Sequence, residues 1–414
     1  CSMIRQRYDL YLNTRQTGIV HAADVVLVEE SGFLTRVGFR YRPDYLGEPS
    51  AFPIDPVQLP LQSAPIEFEC HRGASPAFLD DYLPDNWGRK ILVQLALFRD
   101  KEKLNAYSVI DTLAMLGSSR IGAISLVRQG EAPHFDSGYA IEQLGAAEQA
   151  AQQIDQIDLG GVDLDEMSLL YLANAGTGVG GARPKALLFD DSGQYLAKFN
   201  RITHDSYNNA RVELACLKMA RAAGIRMHDG KIIEGINGRE VLLLDRFDID
   251  GPARKHLITV NGLLKEPASQ MDLGQAFRYD HVSDLIKKYS CQVEEDLIQL
   301  LKLMLFNRAI NNTDDHERNF SLMHSEPGYH LAPAYDLVPS LTTNMHHAAS
   351  YQYQAYPPRP TEALREGRIF KLPRSKVEKA AQEIIGTVER WREFAVDVGV
   401  ADKDIEKVSR VIKV

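Results

Sequence analysis

One polar run constrains the fold of this chain more than any other segment. Residues 311–322 follow a long amphipathic helix predicted over residues 294–309, and they contain Asp314 and Asn319 in the spacing Asp-x-x-x-x-Asn. After a short polar hairpin, Asp336 stands at the end of the next predicted strand. This order of an aspartate, an asparagine and a second aspartate is typical of a kinase catalytic segment. There, the first residue orients the nucleophile and the other two bind Mg²⁺.

Two other interpretations of this run remain open. Asp314, Asp315 and His316 are also residue types that ligate the metal of a hydrolase, but the chain offers no His-x-x-x-His pattern or second His/Asp cluster to complete such a site. A solvated acidic loop is the other possibility. It does not explain why the acid and amide positions follow the kinase order.

A glycine-rich stretch at residues 176–185 is a candidate phosphate-binding loop. Glycines let backbone N–H groups approach phosphate oxygens, and a lysine adds positive charge. Residues 186–189 read as a strand, and no GK[ST] ending is present, so the stretch does not fit a P-loop NTPase. A plain loop between periodic segments remains the alternative. The candidate nucleotide-binding residues are Gly180, Gly181, Ala182, Arg183 and Lys185.

A lysine and a glutamate follow in an order that kinases use. Lys198 lies among apolar neighbours in a strand predicted over residues 194–199, and Glu213 lies near the start of a helix predicted over residues 208–224. In kinases this pair directs the lysine at the α- and β-phosphates. Taken separately, Lys198 also fits an exposed strand edge, and Glu213 also fits a favourable interaction with the helix dipole.

The strand predicted over residues 240–248 ends in charged residues and an aromatic, including Asp245 and Phe247. In a two-lobed fold this position meets an adenine ring, although a core strand followed by a loop gives the same pattern. The argument rests on the order of all these signals along the chain. That order predicts Asp314 and Lys198 as catalytic residues.

The overall composition indicates which partners and which cell compartment to expect. The 414-residue chain has a net charge of -9, so we expect no direct nucleic-acid binding by the chain alone. Its four cysteines show no metal-ligand spacing, and no apolar run is long enough for a membrane span. We therefore expect a cytoplasmic protein with no membrane partner.

The chain divides into three predicted domains. The first third contains strands predicted over residues 8–12, 25–28 and 32–39, and a proline-rich passage at residues 43–65 predicts an irregular surface excursion. The predicted domains are a β-rich subdomain at residues 3–130, a small ATP-binding lobe with the glycine-rich loop at residues 131–250, and a mostly helical catalytic lobe at residues 251–414.

The same residues resemble the HipA family of Ser/Thr-kinase toxins along nearly the whole chain. The matching motifs are GGARPK at residues 180–185, DRFD at 245–248, TDDHERNFS at 313–321 and LAPAYD at 331–336, with LPDN at 83–86 and RIGA at 120–123 in the N-terminal part. The resemblance implies an α+β, two-lobed protein-kinase-like fold with a β-rich N-terminal subdomain and a mostly helical C-terminal lobe.

The resemblance also implies ATP and Mg²⁺ as cofactors and assigns roles to particular residues. Family members phosphorylate Ser or Thr of proteins such as aminoacyl-tRNA synthetases, and a small DNA-binding antitoxin usually neutralises them. The implied roles are Lys198 at the α/β-phosphates, Asp314 as catalytic base, Asn319 and Asp336 as Mg²⁺ ligands, His316 as support for the phosphates, and Asp245 and Phe247 at the adenine.

One position departs from the family pattern. Typical members carry in the glycine-rich loop a serine whose autophosphorylation inactivates the enzyme, whereas here Gly178 stands at the matching position and Thr177 precedes it. A one-residue shift in a tight loop redirects the hydroxyl. We therefore expect this self-inactivation to be absent.

The sequence thus predicts a HipA-like Ser/Thr protein kinase, the toxin of a toxin–antitoxin pair. Two alternatives stay open. One is a small-molecule kinase on the same fold, and the other is a non-catalytic ATP-binding partner of a DNA-binding antitoxin.

Overall fold

The computed structural model describes residues 2–71, 74–100, 105–117, 120–157, 183–201, 204–265, 276–343 and 345–414. The chain forms two compact units. The first unit contains Cys1–Phe199, Asp248–Leu273 and Met323–Glu326, and the second contains Asn200–Phe247, Gly274–Leu322 and Pro327–Val414.

Strands dominate the first unit and helices the second. The strands are β1 Met3–Thr14, β2 Gly18–Glu30, β3 Phe33–Tyr41, β4 Ile66–Glu69, β5 Ile124–Arg128, β6 Tyr139–Ala140, β7 Lys185–Asp190, β8 Gly193–Phe199, β9 Gly230–Ile236, β10 Arg239–Asp245, β11 Ile249–Asp250, β12 Ala253–Arg254, β13 His256–Thr259, β14 Ser321–Ser325 and β15 Gly328–Leu331. The helices are α1 Pro43–Leu46, α2 Ala77–Tyr82, α3 Asn86–Asp100, α4 Val109–Met115, α5 Leu144–Ile157, α6 Asn209–Ala222, α7 Val260–Leu264, α8 Tyr279–Tyr289, α9 Val293–Ala309, α10 Pro360–Glu366, α11 Arg374–Val388, α12 Trp391–Asp397 and α13 Asp402–Ser409.

The first unit is built on an antiparallel sheet in the order β4-β3-β2-β1-β5. Side chains alternate between its two faces. Leu10 and Val25 lie buried on the inner face, whereas Arg5 and Arg36 are exposed. The three strands predicted in this region are confirmed, and each extends beyond its predicted bounds.

The proline-rich passage at residues 43–65 is only in part the surface excursion that the sequence predicts, since residues 60–65 are exposed but the middle of the passage is not. Phe52, Ile54 and Leu59 are buried. The buried hydroxyl of Tyr41 donates to the Leu59 carbonyl over 2.6 Å and accepts from the Ile54 amide over 3.0 Å. Side-chain hydrogen bonds from the last residue of β3 therefore satisfy backbone groups that an irregular segment otherwise exposes to water.

A second group of strands in the first unit carries the predicted hairpin. β6 pairs in parallel with β7, and β7 pairs antiparallel with β8. The Asp190 carboxylate accepts from the amides of Ser192 and Gly193 and so closes the tight turn between β7 and β8. The hairpin sets Lys185 opposite Lys198 in register.

Helix α6 begins and ends where the sequence predicts. The Asn208 side chain caps its N-terminus by accepting from the Arg211 amide. Gly224, with φ of +80°, ends it in a left-handed turn. The predicted apolar stripe, which includes Val212, Cys216 and Met219, is fully buried.

Helix α9 is the centre of the second unit. It contacts α8, α10, α11 and β15, and it is buried almost all round beyond its first turn. The sequence predicts an amphipathic helix here, and that detail is wrong because neighbours cover every side. Among the described residues, no helix is long and apolar enough to cross a membrane.

Candidate active site

The second unit holds the Asp-x-x-x-x-Asn segment on an irregular loop after α9. Asn311 adopts φ of +59°, which turns the chain out of the helix. The segment then closes in a single 3₁₀ turn, Glu317–Asn319. His316 caps that turn because its Nδ1 accepts from the Arg318 amide over 3.2 Å. The proton of the neutral ring is therefore on Nε2, which lies 3.8 Å from Asp314 Oδ1.

Of the two polar atoms of the Asn319 side-chain amide, only the nitrogen forms a hydrogen bond within the described residues. Its Nδ2 donates to the Asp314 carbonyl over 2.7 Å. Its Oδ1 is buried and, among the residues that the structure describes, accepts no hydrogen bond. A buried amide oxygen without a donor costs free energy, so such an atom indicates that a ligand binds there.

Asp336 lies beside the same loop. The strand predicted to end at Asp336 is shorter than expected, since β15 ends at Leu331. Asp336 follows in an irregular segment with φ of +55°, a conformation that costs free energy in a non-glycine residue. The Asn312 side chain donates to its carbonyl over 3.3 Å, which fixes this turn against the loop after α9.

Three carboxylates interact at this position. Partial removal of water raises the pKa of Asp314 above its ordinary value, the charges of Asp336 and Asp315 act in the same direction, and His316 lowers it. The Asp314 side chain is 76% exposed, so solvent screens these effects. The group is accessible to a substrate, and the negative charge around it suits a divalent cation.

A buried polar network lies behind the loop. The Asp315 carboxylate accepts from the Tyr279 hydroxyl over 2.7 Å and from the Ala349 amide over 3.1 Å, and it lies 2.9 Å from His347 Nδ1. Tyr279 in turn accepts from Asn307 over 3.0 Å. The network continues from the Asn307 side chain to that of Asn312, which holds the Asp336 carbonyl.

Sequence reasoning missed the part that this network plays. Asp315 was considered only as an alternative metal ligand, although it is almost fully buried and hydrogen-bonded. Its partners come from α8 and from residues 347–349, and no spacing rule connects them to the loop. A second carboxylate directly after Asp314 is the one available signal.

The two predicted adenine residues lie in different environments. Asp245 is exposed at the end of β10, and its amide donates to the Asp229 carbonyl. The Phe247 ring stacks on Tyr335 at 5.9 Å, next to Asp336 in sequence. The Tyr335 hydroxyl lies within 2.9 Å of the Arg318 carbonyl. Phe247 and Tyr335 thus form an aromatic surface beside the carboxylate cluster.

Two lysines of the predicted nucleotide site, both in the first unit, are deeply buried. Lys198 is in β8 and is 7% exposed, and Lys185 opens β7 at 1% exposed with its ammonium 3.8 Å from the Asp85 carboxylate. Arg183 lies half-buried just before β7. Glu213 is in helix α6 of the second unit and is buried. Gly180, Gly181 and Ala182 lie outside the described residues, as do Thr177 and Gly178.

The donor set fits a magnesium–nucleotide complex. Mg²⁺ prefers oxygen ligands from one or two carboxylates together with phosphate oxygens. Asn319 Oδ1 is an amide oxygen, which Mg²⁺ also accepts, and Asp314 and Asp336 have carboxylates in the same loop cluster. No sulfur or imidazole ligand is needed. The site can therefore hold a hard divalent cation and orient a proton-bearing nucleophile at Asp314.

Comparisons with known proteins identify the family of the chain. A model of the HipA N-terminal domain matches residues 10–127, and a model of the HipA-like C-terminal domain matches residues 177–392. The second match covers more than half of the chain. The chain therefore belongs to the HipA family.

Particular relatives can be named. The putative kinase Y4mE of Sinorhizobium fredii (strain NBRC 101917 / NGR234) is 24% identical over 420 residues, which cover 91% of this chain and 87% of that protein. HipA of Shewanella oneidensis MR-1, solved in a complex with HipB and operator DNA, aligns with a TM-score of 0.66 at 18% identity, over 98% of this chain and 94% of that one.

The Helicobacter pylori proinflammatory kinase CtkA aligns over 57% of this chain and 91% of its own, with a TM-score of 0.40 at 13% identity, which is too remote to support an argument. The likeness to the Shewanella protein shows the fold. It confirms the predicted α+β, two-lobed, kinase-like class with a β-rich N-terminal part and a mostly helical C-terminal lobe.

Proposed function

We propose that this chain is an ATP- and Mg²⁺-dependent protein kinase of the cytoplasm that transfers the γ-phosphoryl group to a Ser or Thr hydroxyl. The observation that carries the proposal is Asn319 Oδ1, which is buried, accepts no hydrogen bond from the described residues and lies beside Asp314 and Asp336. Such an oxygen needs a partner from outside the chain, and a metal ion between carboxylates is one.

Each predicted site residue has a physical role in this reaction. Asn319 and Asp336 bind Mg²⁺, and Asp314, exposed to the substrate, accepts or orients the proton of the attacking hydroxyl. Bound Mg²⁺ supplies neutralisation of the charge on the phosphates. His316 supports the phosphates through Nε2–H, because its Nδ1 is already used as an acceptor.

The remaining roles complete the nucleotide site. Lys198 holds the α- and β-phosphates, oriented by Glu213, and the glycine-rich loop with Arg183 and Lys185 covers the phosphates. Asp245 and Phe247 bind the adenine, with Tyr335 extending the aromatic surface. The three domains at residues 3–130, 131–250 and 251–414 provide, in turn, a partner-binding subdomain, the ATP-binding lobe and the catalytic lobe.

The relatives support a proposal for the acceptor and the partner. The relative Y4mE carries the name of a putative kinase, and the Shewanella HipA structure contains HipB and operator DNA. We therefore propose that this chain is the toxin of a toxin–antitoxin pair and that a small DNA-binding antitoxin binds it. Its acceptor is a protein, with an aminoacyl-tRNA synthetase as the first candidate.

Labelled ATP tests the proposal directly. The purified chain is incubated with [γ-³²P]ATP, Mg²⁺ and a cell lysate, and labelled proteins are identified. Asp314→Asn is the inactive variant. Glu317→Gln is the matched control, because Glu317 lies in the same loop and has no proposed role.

The proposal predicts labelled protein with the wild type and the control, phosphorylated on Ser or Thr, and none with Asp314→Asn. Label found only in small molecules indicates a metabolite kinase. Nucleotide binding without any transfer indicates a non-catalytic ATP-binding partner of an antitoxin. Either result overturns the protein-kinase assignment.

A further inference from the structure

We propose that Asp9, His21 and Asp24, on the outer face of the first sheet, form a binding site for a divalent transition metal of the zinc type. The site lies in the first unit and shares no residue with the proposed kinase site. Its failure therefore leaves the proposed function untouched.

A β-bulge brings the three side chains to one face. Asp9 and Asp24 are cross-strand partners on β1 and β2 and so point to the same side of the sheet. His21 lies three residues from Asp24, and in a regular strand it faces the other side. The register shifts between Leu10 and Tyr11, so Ala22 is the extra residue and His21 turns to the face of the two aspartates.

Each carboxylate has one oxygen occupied and directs the other at the histidine. The second oxygen of Asp9 accepts from the Gly130 amide over 2.8 Å, and that of Asp24 lies 3.3 Å from Arg42 Nη1. The other oxygens lie near His21 Nε2, at 3.5 Å for Asp9 and 3.0 Å for Asp24. Such outer contacts orient metal ligands.

The imidazole of His21 is also fixed in orientation. Its ring stacks on Tyr11 with a centroid distance of 4.9 Å and an interplanar angle of 26°. Nε2 lies 3.1 Å from the Ala23 carbonyl oxygen as well. When protonated, His21 forms an ion pair with the aspartates. A bound metal replaces that proton on Nε2.

The distances match the edges of a tetrahedral site. With metal–nitrogen and metal–oxygen bonds of about 2.0–2.1 Å, neighbouring ligand atoms are about 3.3 Å apart. All three ligand atoms lie within 4.8 Å of one another. An imidazole and two carboxylates suit Zn²⁺, whereas Mg²⁺ and Ca²⁺ take oxygen ligands.

The site opens onto a groove, which leaves room for a fourth ligand. Asp9 and Asp24 line a groove of about 740 Å³ on this sheet face, together with Arg5, Arg7, Arg36 and Arg40. Three protein ligands and an open position are typical of sites that keep a water or bind an external anionic group.

Zinc titration tests the site. The chelator-treated chain is titrated with Zn²⁺ by calorimetry in excess Mg²⁺. Cys1 and the exposed Cys291 are replaced by serine, because cysteine sulfur binds Zn²⁺. We expect one Zn²⁺ per chain. His21→Gln and Asp24→Asn each reduce the affinity by more than about 10-fold. His134→Gln, at an exposed histidine of the same unit, leaves it unchanged.

A second measurement covers the case in which a variant does not fold. Zn²⁺ raises the unfolding temperature of the wild type through preferential binding to the native state, and Co²⁺ at the same site shows the visible d–d absorption of a four-coordinate ion. The proposal is wrong if no stoichiometric Zn²⁺ binds, or if Zn²⁺ affinity and Co²⁺ absorption are the same in folded His21→Gln as in the wild type.

Discussion

The side-chain amide of Asn319 donates from Nδ2 to the carbonyl oxygen of Asp314 over 2.7 Å. This one hydrogen bond fixes which atom of the amide remains for a ligand, because Oδ1 is then the buried atom without a donor in the described part of the chain. It also couples the two ends of the Asp-x-x-x-x-Asn segment, so a ligand bound at Asn319 restrains the backbone of Asp314.

Replacing Asn319 tests its role as a metal ligand. We expect Asn319→Leu to reduce Mg²⁺-dependent phosphoryl transfer by about 100-fold or more, the scale for removing a group that stabilises transition-state charge. The free energy of unfolding should change by no more than about 2 kcal/mol, since one hydrogen bond and one unsatisfied oxygen disappear together. Rate and urea unfolding are measured side by side. Transfer at the wild-type rate rules out the ligand role.

Tyr279 tests the buried network behind the loop. Tyr279→Phe removes the hydroxyl that donates to Asp315 and accepts from Asn307, and leaves both partners buried. We expect a loss of about 1–3 kcal/mol of unfolding free energy. Tyr353→Phe is the matched control, since Tyr353 is fully exposed, and it should change nothing. Equal stability of the two variants contradicts a stabilising role for the network.

The sequence predicts the strands and helices of the candidate site better than the long-range hydrogen bonds that hold the site in place. The β7–β8 hairpin, helix α6 and strand β10 form where local signals occur: a turn at Asp190, a cap at Asn208 and an apolar run in β10. These signals lie within a few residues of the structure that they specify, so one sequence is enough to read them.

What was missed depends on partners far apart in the chain. Asp315 meets Tyr279 across 36 residues, and the buried hydroxyl of Tyr41 holds the proline-rich passage. The convergence of Asp9, His21 and Asp24 depends on a bulge at Ala22, which shifts side-chain parity without any signal in composition. Non-local hydrogen bonds and irregular strand register produce no periodic pattern of residues, so one sequence does not predict them.

The predicted pairing of Lys198 with Glu213 is tested by a double-mutant cycle. We expect Lys198→Met to reduce transfer by about 100-fold or more, because it removes a charge that stabilises the phosphates. Glu213→Gln alone should be less harmful. If the two act as a pair, the double variant is no worse than Lys198→Met, with a coupling free energy above about 1 kcal/mol. Strictly additive effects on kcat/KM count against the pairing.

Two buried groups of the first unit give opposite dependences of stability on pH. Burial lowers the pKa of His256 from 6.5 to about 4, while its hydrogen bond to the Ile54 carbonyl acts weakly against this. The unfolded chain therefore binds the proton first, and native stability falls as pH decreases from 6.5 towards 4. The full effect is about 3 kcal/mol.

Burial also raises the pKa of Asp55 from 3.8 to about 6, against the amides of Gln58 and Val57 that bind its carboxylate. Here the native state keeps the proton to a higher pH than the unfolded chain does. The free energy of unfolding therefore falls as pH increases from 3.8 to 6, again by about 3 kcal/mol. The two contributions nearly cancel in the wild type. Asp55→Asn keeps an acceptor for both amides. It removes the pH-dependent contribution of Asp55 and leaves that of His256.

We therefore expect the unfolding midpoint of Asp55→Asn in urea to fall more steeply than that of the wild type between pH 6.5 and pH 4.5. The double variant Asp55→Asn, His256→Gln should show a nearly flat midpoint across this range, because neither contribution remains. Parallel midpoints for the wild type and Asp55→Asn across this range contradict the assignment.

A crystal structure with a non-hydrolysable ATP analogue and Mn²⁺ tests the central claim most directly, because anomalous scattering locates the ion without reference to any assumed site. We predict an ion coordinated by Asn319 Oδ1 and the Asp336 carboxylate at about 2.0–2.3 Å, with Lys198 at the phosphates. An ion bound elsewhere, or a nucleotide that leaves Asn319 and Asp336 uncoordinated, contradicts the account.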